Sequence, residues 1–182
     1  AAGALIVVIM IAAAALADVI APYDPVINAY DRIHLAPSLE NWLGTDQFGR
    51  DILSRIIYGA RTALFVGFAC AFVGATTGLV LGVASAYFGG YFDLLFQRVM
   101  DVFMAFPLII LALALVAIFG GKIENDLVLV IIAITIPFVP RCARVVRSSA
   151  LAIREIPYVD AARALGYSHS RIILRHMAPN VM

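Results

Sequence analysis

Between Arg61 and Asp93 the sequence runs for 31 residues, Thr62 to Phe92, without one charged side chain. A helix that is apolar on every face is either buried in a large core or set in lipid, and about 20 residues suffice to cross a bilayer. The chain has only 182 residues, 63% of them hydrophobic and 14% charged. A soluble domain is roughly half apolar and a quarter charged. One core of this size cannot hide that much apolar surface, so the sequence predicts a membrane protein.

Two more runs fit the same reading: Ala1 to Ala17, and Val102 to Gly121 with 20 uncharged residues. A fourth, Leu127 to Pro140, has 14. By length alone it suits a re-entrant or buried segment. Ile123 and the aliphatic part of Arg141 can lengthen it, with charged tips at the interface. The first run has the look of a signal peptide. It is read here as a membrane anchor. The chain opens at Ala1 inside an apolar run and is read as a piece of a longer one.

The charges are distributed unevenly. Twelve Arg accompany one Lys, and seven of the thirteen basic residues lie between Arg141 and Arg175. If all four runs span, one side holds Arg98 and those seven. The other holds Arg32, Arg50, Arg55, Arg61 and Lys122. The positive-inside rule then puts the tail in the cytoplasm.

The 31-residue run carries Gly74, Gly78 and Gly82, a GxxxGxxxG pattern, beside a stripe of Gly67, Ala71 and Ala75. Small residues four apart let helix backbones approach closely in lipid. The partner is either a helix of this chain or a second subunit. Asp101, near the start of the third run, stands three residues after Arg98, which predicts an i,i+3 ion pair. Pro107 and Pro137 are expected to kink their helices. Cys70 and Cys142 are far apart, with no CxxC and no His/Cys cluster, so no metal site or disulfide is indicated.

The polar stretch from Tyr23 to Arg61 opens with turn residues Pro22 and Pro25. Within it Phe48, Ile52, Leu53, Ile56 and Ile57 recur at helical spacing, with Asp51, Ser54 and Arg55 on the other face. The pattern predicts an amphipathic helix capped by Asp46, on the membrane interface or packed on the spans, with Asp51 and Ser54 facing water.

The tail reads REIPYVDAARALGYSHSRIILRHMAP from Arg154 to Pro179. Pro157 suits a first helical position, and Asp160 falls in the first turn, where its charge complements the helix dipole. Gly166 ends that helix in a left-handed cap. Ser168 caps a second helix, which Pro179 ends. The result is a basic helical hairpin.

The tail resembles the coupling loop of ABC importer permeases. That pattern is Glu-Ala-Ala, three residues, Gly, nine residues, Ile, one residue, Leu-Pro. Asp160, Ala161 and Ala162 fill its first three positions, with Asp for Glu, and Gly166 and Pro179 fall in register. His176 stands where the pattern has Ile, and Ala178 where it has Leu. RIILRHMAPN is similar to the peptide-permease version. WLGTDQFGRDILSRIIYGARTAL from Trp42 and AYFGGYFDLLFQRVMDVFMAFP from Ala86 resemble blocks of the dipeptide and oligopeptide branch.

The resemblance implies an all-α, polytopic transmembrane bundle of the type I importer permease fold, here lacking its last two spans. It divides into a first span at 1–21, a periplasmic polar loop at 22–61, and a core at 62–182. The core holds spans at about 62–90, 100–121 and 124–142 and a cytoplasmic coupling loop at 143–182. It further implies an inner-membrane subunit that contacts an ATPase through Asp160, Ala161, Ala162, Gly166, Arg171, Arg175 and Pro179. Its partners would be a second permease subunit, two ATP-binding cassette subunits, a periplasmic substrate-binding protein and the lipid bilayer. Peptide is the implied substrate, with nickel or another small solute as the alternative. No cofactor, metal or nucleic acid is implied.

An intramembrane enzyme would want paired carboxylates, a Ser/Lys pair or HExxH within the spans. Ser85 and Thr76 have no matching base there. Gly120 to Lys122 is not a phosphate-binding loop, because Ile123 follows and the upstream glycine is missing. An ATP-independent channel or transporter would leave the hairpin unexplained.

Overall fold

The computed structural model describes residues 2–181. Ala1 and Met182, the outermost residues of the predicted first span and coupling loop, lie outside the described residues. Among the described residues there is no β-strand, only two isolated bridges, and the chain is helical. It divides into two units, Ala1–Phe68 and Ala69–Met182.

The first unit begins with α1 (Ala2–Ala15) and one turn, α2 (Ala17–Ile20). At 14 residues α1 is about 21 Å long, short of a roughly 30 Å hydrocarbon core. Asp18 on α2 pairs with Arg61 at 2.8 Å and accepts a bond from the Tyr58 hydroxyl at 2.9 Å. Arg61 and Tyr58 lie on the long helix α3 (Ile52–Phe88).

The segment between α2 and α3 is folded rather than slack. The Asp46 carboxylate gathers the backbone N–H of Phe48 and Arg50 and the guanidinium groups of Arg50 and Arg55. The expected amphipathic helix is present from Ile52 on, not as an element of its own but as the first turns of α3, which continues unbroken for 37 residues. Its cap is Asp51, not Asp46. Asp51 Oδ2 accepts from the Ser54 N–H and hydroxyl, each at 2.8 Å. Asp51 and Ser54 are buried, not facing water, while Ile56 is exposed. Each polar group was able to leave water because it found a partner: Asn41 donates to Asp51 at 2.9 Å, and the Tyr23 N–H donates to Ser54 Oγ at 3.1 Å.

In the second unit α3 ends at Gly89 and Gly90, both at positive φ (61° and 53°), which only glycine adopts at little cost. Arg154 donates to the Ala86 carbonyl at 2.9 Å, serving one of the acceptors the helix end leaves open. α4 (Gly90–Ala105) and α5 (Leu108–Phe119) meet at 92° across Phe106 and Pro107. The expected kink is therefore a full break. Proline disfavours helical geometry in the residue before it, and Phe106 is extended.

α6 (Asp126–Arg154) starts at an Asn125 cap, whose side chain accepts from the Leu127 and Val128 N–H groups. It runs for 29 residues with Pro137 and Pro140 inside it, continuing past the apolar run through Arg141, Arg144 and Arg147. Among the described residues two helices, α3 and α6, are long and apolar enough to cross a membrane; α4 with α5 makes a third if the bent pair counts as one span.

The glycine stripe of α3 meets α6. A Cβ on Gly74 would lie 2.5 Å from the Phe138 ring, on Gly78 2.4 Å from Cys142 Cβ, and on Gly82 2.5 Å from the Ala143 carbonyl oxygen. The stripe is thus used within this chain, at a spacing where any added Cβ forces a neighbour to shift.

Candidate functional site

The hairpin predicted in the tail forms at the foot of α3 and α6. α7 (Pro157–Ala164) has Pro157 in its first turn, where the missing N–H costs nothing. It closes on Gly166 at φ +73°. The Gly166 N–H reaches the Arg163 carbonyl at 2.9 Å, and the Tyr167 N–H reaches Ala162 at 3.2 Å. These paired bonds are the Schellman closure of a helix end. A Cβ on Gly166 would meet nothing within 4 Å, so the glycine serves backbone conformation and not space.

Ser168 occupies the cap position of α8 (His169–Arg171), but its side chain makes no capping bond. The chain then widens into a π-helical segment, Ile172–Met177, and returns to helix in α9 (Ala178–Val181). Pro179 therefore does not end the second helix; it lies inside the continuing turn. Its ring would clash with the carbonyl four residues back in a regular helix, and the wider turn relieves that. The His176 carbonyl is served by the Tyr158 hydroxyl at 3.0 Å and by Asn180 Nδ2 at 2.7 Å.

The hairpin is clamped to the two long helices by one apolar cluster. Val159 and Ala162 of α7, with Ile172, Ile173, Met177 and Ala178, pack with Val83, Ala86 and Tyr87 of α3 and Ala150 of α6. Val159, Met177, Ala86 and Ala150 are fully buried. The cation of Arg163 lies over the Tyr87 ring at 4.8 Å, and the Tyr87 hydroxyl pairs with His169 Nδ1 at 2.8 Å.

Of the residues singled out from sequence, Ala162 is buried in this cluster, while Asp160, Ala161, Gly166, Arg171, Arg175 and Pro179 are exposed. Asp160 pairs with Arg163 one turn on, at 3.0 Å. Arg171 stacks on Tyr167 at 4.2 Å. Leu165 and Leu174, 70% and 56% exposed, add apolar area to the outer surface. The hairpin thus has a rigid inner side and an outer side of mixed charge with two unpartnered leucines.

Sequence reasoning missed the clamp and a polar junction above it. Asp93 of α4 pairs with Arg147 of α6, and it accepts from Ser85 of α3 at 2.5 Å. Gln97 reaches Ser85 at 3.3 Å. Asp101 pairs not with Arg98 but with Arg144 of α6, at 2.5 Å. The signal was present in the spacing. Asp93 and Asp101 are the only carboxylates between Arg61 and Glu124, and Arg144 and Arg147 sit one turn apart.

Residues 78–182, the stretch that holds this junction and the hairpin, match the family model described as binding-protein-dependent transport system inner membrane component. The chain belongs to that family. It is accordingly an integral inner-membrane protein of a transport system, consistent with the apolar lengths of α3 and α6. A protein of Brucella suis biovar 1 whose name carries the words peptide transport system permease protein is 43% identical over 180 residues, covering 99% of this chain and 59% of that protein. The glutathione transport system permease proteins of Escherichia coli O157:H7 and Shigella sonnei are each 43% identical over 180 residues, covering 98% of this chain and 58% of theirs. The chain thus spans somewhat under three-fifths of the length of these curated relatives. The resemblance to the peptide branch of ABC importer permeases agrees with the family and with these names.

Proposed function

We propose that this chain is the larger part of a membrane permease subunit in an ATP-driven importer. In this reading it forms half of a translocation pathway for small peptides delivered by a periplasmic binding protein. A second permease subunit completes the pathway, and two ATP-binding subunits drive it from the cytoplasmic side. The names of the relatives, one for peptide and others for glutathione, favour a short peptide over nickel or another small solute.

The observation that carries the reading is the clamp. A coupling element must receive force on one side and deliver it on the other without bending. The outer side of the hairpin offers Asp160, Arg175 and the exposed Leu165 and Leu174 to a partner. The inner side is packed, with fully buried side chains, on the ends of both long helices. Displacement of the hairpin by a docked ATPase would therefore move α3 and α6 together.

The test is ATP hydrolysis and peptide uptake measured together in reconstituted complexes. Gly166→Val, which forces a β-branched residue to φ +73°, should misplace α8 and lower uptake per ATP hydrolysed. Asp160→Asn should do the same if the carboxylate meets a basic residue of the ATPase. As a helix-dipole charge alone its loss should cost under ~1 kcal/mol and leave uptake intact. An unchanged uptake-to-hydrolysis ratio in both variants would remove the hairpin from coupling.

A further inference from the structure

We infer that the folded segment between α2 and α3 carries a binding cleft for a short peptide with free termini, separate from the coupling hairpin. The inference rests on the transport reading above for its choice of ligand. The cleft has a volume of about 320 Å³. That is at the lower end of small-molecule pockets, which run from roughly 300 to 1,000 Å³. Its walls bring together Asp24, Ile27, Arg32, Asn41, Arg50 and Asp51.

The walls are fixed before any ligand arrives. The Ala29 N–H bonds the Phe48 carbonyl at 3.0 Å, joining the two sides. At the same place Gly49 has φ +74°, and a Cβ there would fall 1.7 Å from the Ala29 carbonyl oxygen, so the strands of chain touch through glycine. Asp51 is fully engaged, by Asn41 on one oxygen and by Ser54 on the other. Arg50 is held through Nε and Nη2 by Asp46.

Two lining groups, one of each sign, keep hydrogen-bonding capacity. The Arg32 guanidinium lies 3.9 Å from Asp31 and 3.7 Å from Glu40, ion-pair contacts too long for hydrogen bonds, and among the described residues its side chain donates none. Among the described residues Asp24 accepts through Oδ1 alone, from the Val26 N–H at 2.8 Å, and Oδ2 has no partner. A guanidinium is a planar fork suited to a carboxylate, and a carboxylate suits an ammonium. Ile27 adds an apolar side chain to the lining. A ligand complementary to this set has a carboxylate, an ammonium and a small apolar body. A short peptide with free termini has all three.

The experiment is titration of the intact permease, in lipid nanodiscs and without the binding protein or ATPases, with Ala-Ala, N-acetyl-Ala-Ala and Ala-Ala-amide. Saturable binding of Ala-Ala is expected, weakened tenfold or more by either block. Arg32→Gln should weaken Ala-Ala tenfold or more yet leave the affinity of the amide unchanged. Asp24→Asn should leave the affinity of the acetylated peptide unchanged. That pairing separates a direct contact from misfolding, which would weaken every ligand alike. Absence of Ala-Ala binding, or affinities indifferent to the blocks and the variants, overturns the inference. So does loss of binding-protein docking in Arg32→Gln with Ala-Ala affinity intact, which would make this a protein contact. ATP-driven uptake of Ala-Ala by the full complex is measured alongside. Uptake without cleft binding removes the cleft and spares the transport reading, whereas binding without uptake does the reverse.

Discussion

Replacing Gly78 by alanine should loosen the contact between α3 and α6 by an amount that can be isolated from helix propensity. The new Cβ would sit 2.4 Å from the Cβ of Cys142 and 3.1 Å from the Ala143 nitrogen. Carbon atoms in contact prefer about 3.5–4.0 Å, so the helices must separate by roughly 1.1–1.6 Å. Neither neighbouring atom can rotate away, since one is a Cβ and the other is backbone. Overpacking of this kind costs about 1–3 kcal/mol. Alanine also favours a helix over glycine by about 1 kcal/mol, which partly hides the cost. Gly67→Ala is the internal control, because a Cβ there meets nothing within 4 Å. The difference between the two variants cancels propensity and should be about 1–3 kcal/mol, or roughly five- to 150-fold in the unfolding equilibrium. Gly82→Ala, which faces the Ala143 carbonyl, should resemble Gly78→Ala, and Gly74→Ala should be milder because a Phe138 ring can swing aside. Unfolding by SDS titration in mixed micelles, followed by circular dichroism, measures this. Equal stabilities for the Gly78 and Gly67 variants would refute the close-packing argument.

Two other perturbations test the polar parts of the fold. Asp93→Asn or Arg147→Gln should each destabilise by about 2–3 kcal/mol in the same titration, less than a fully buried pair because both side chains retain some exposure, and the double variant should recover part of that loss. For Asp46, burial acts to raise the carboxyl, but bonds from Arg50 and from the Phe48 and Arg50 N–H groups prevail and hold it well below the usual carboxylate range. A depressed carboxyl contributes its stability fully above the ordinary aspartate value of about 3.9 and loses it as pH falls toward the lower folded value. Hydrogen exchange of residues 44–51 should therefore stay slow from pH 7 to 4 and quicken below, and Asp46→Asn should be fast throughout that window.

Apolar length and backbone demands were legible in the sequence. The uncharged runs marked α3 and α6, the glycine spacing marked their contact, and Gly166 with Pro157 marked the ends of α7. Which polar group would meet which was not legible. Asp51 outcompeted Asp46 as a cap because only Asp51 stands three residues before Ser54 with Asn41 folded over it. Periodicity put Asp51 and Ser54 on a wet face; the tertiary partners that allow burial come from 10 to 31 residues away. Asp101 likewise preferred Arg144, 43 residues on, over its near neighbour Arg98. Pro179 was misread because proline stops a helix only when the turn before it stays regular.

The break at Pro107 sets how much lipid the α4–α5 pair can displace. Rods of 12 and 16 residues are about 18 and 24 Å long, against roughly 30 Å of hydrocarbon. Held at 92°, the two cannot both stand along the membrane normal. Whichever stands upright stops roughly 6–12 Å short of the far side. Pro107 also has no N–H to offer the Phe103 carbonyl, its partner in a regular helix. A carbonyl left open in hydrocarbon must be reached by headgroups, water or neighbouring protein. Across the elbow, then, the α4–α5 pair sets only one of its two short rods against the full hydrocarbon thickness.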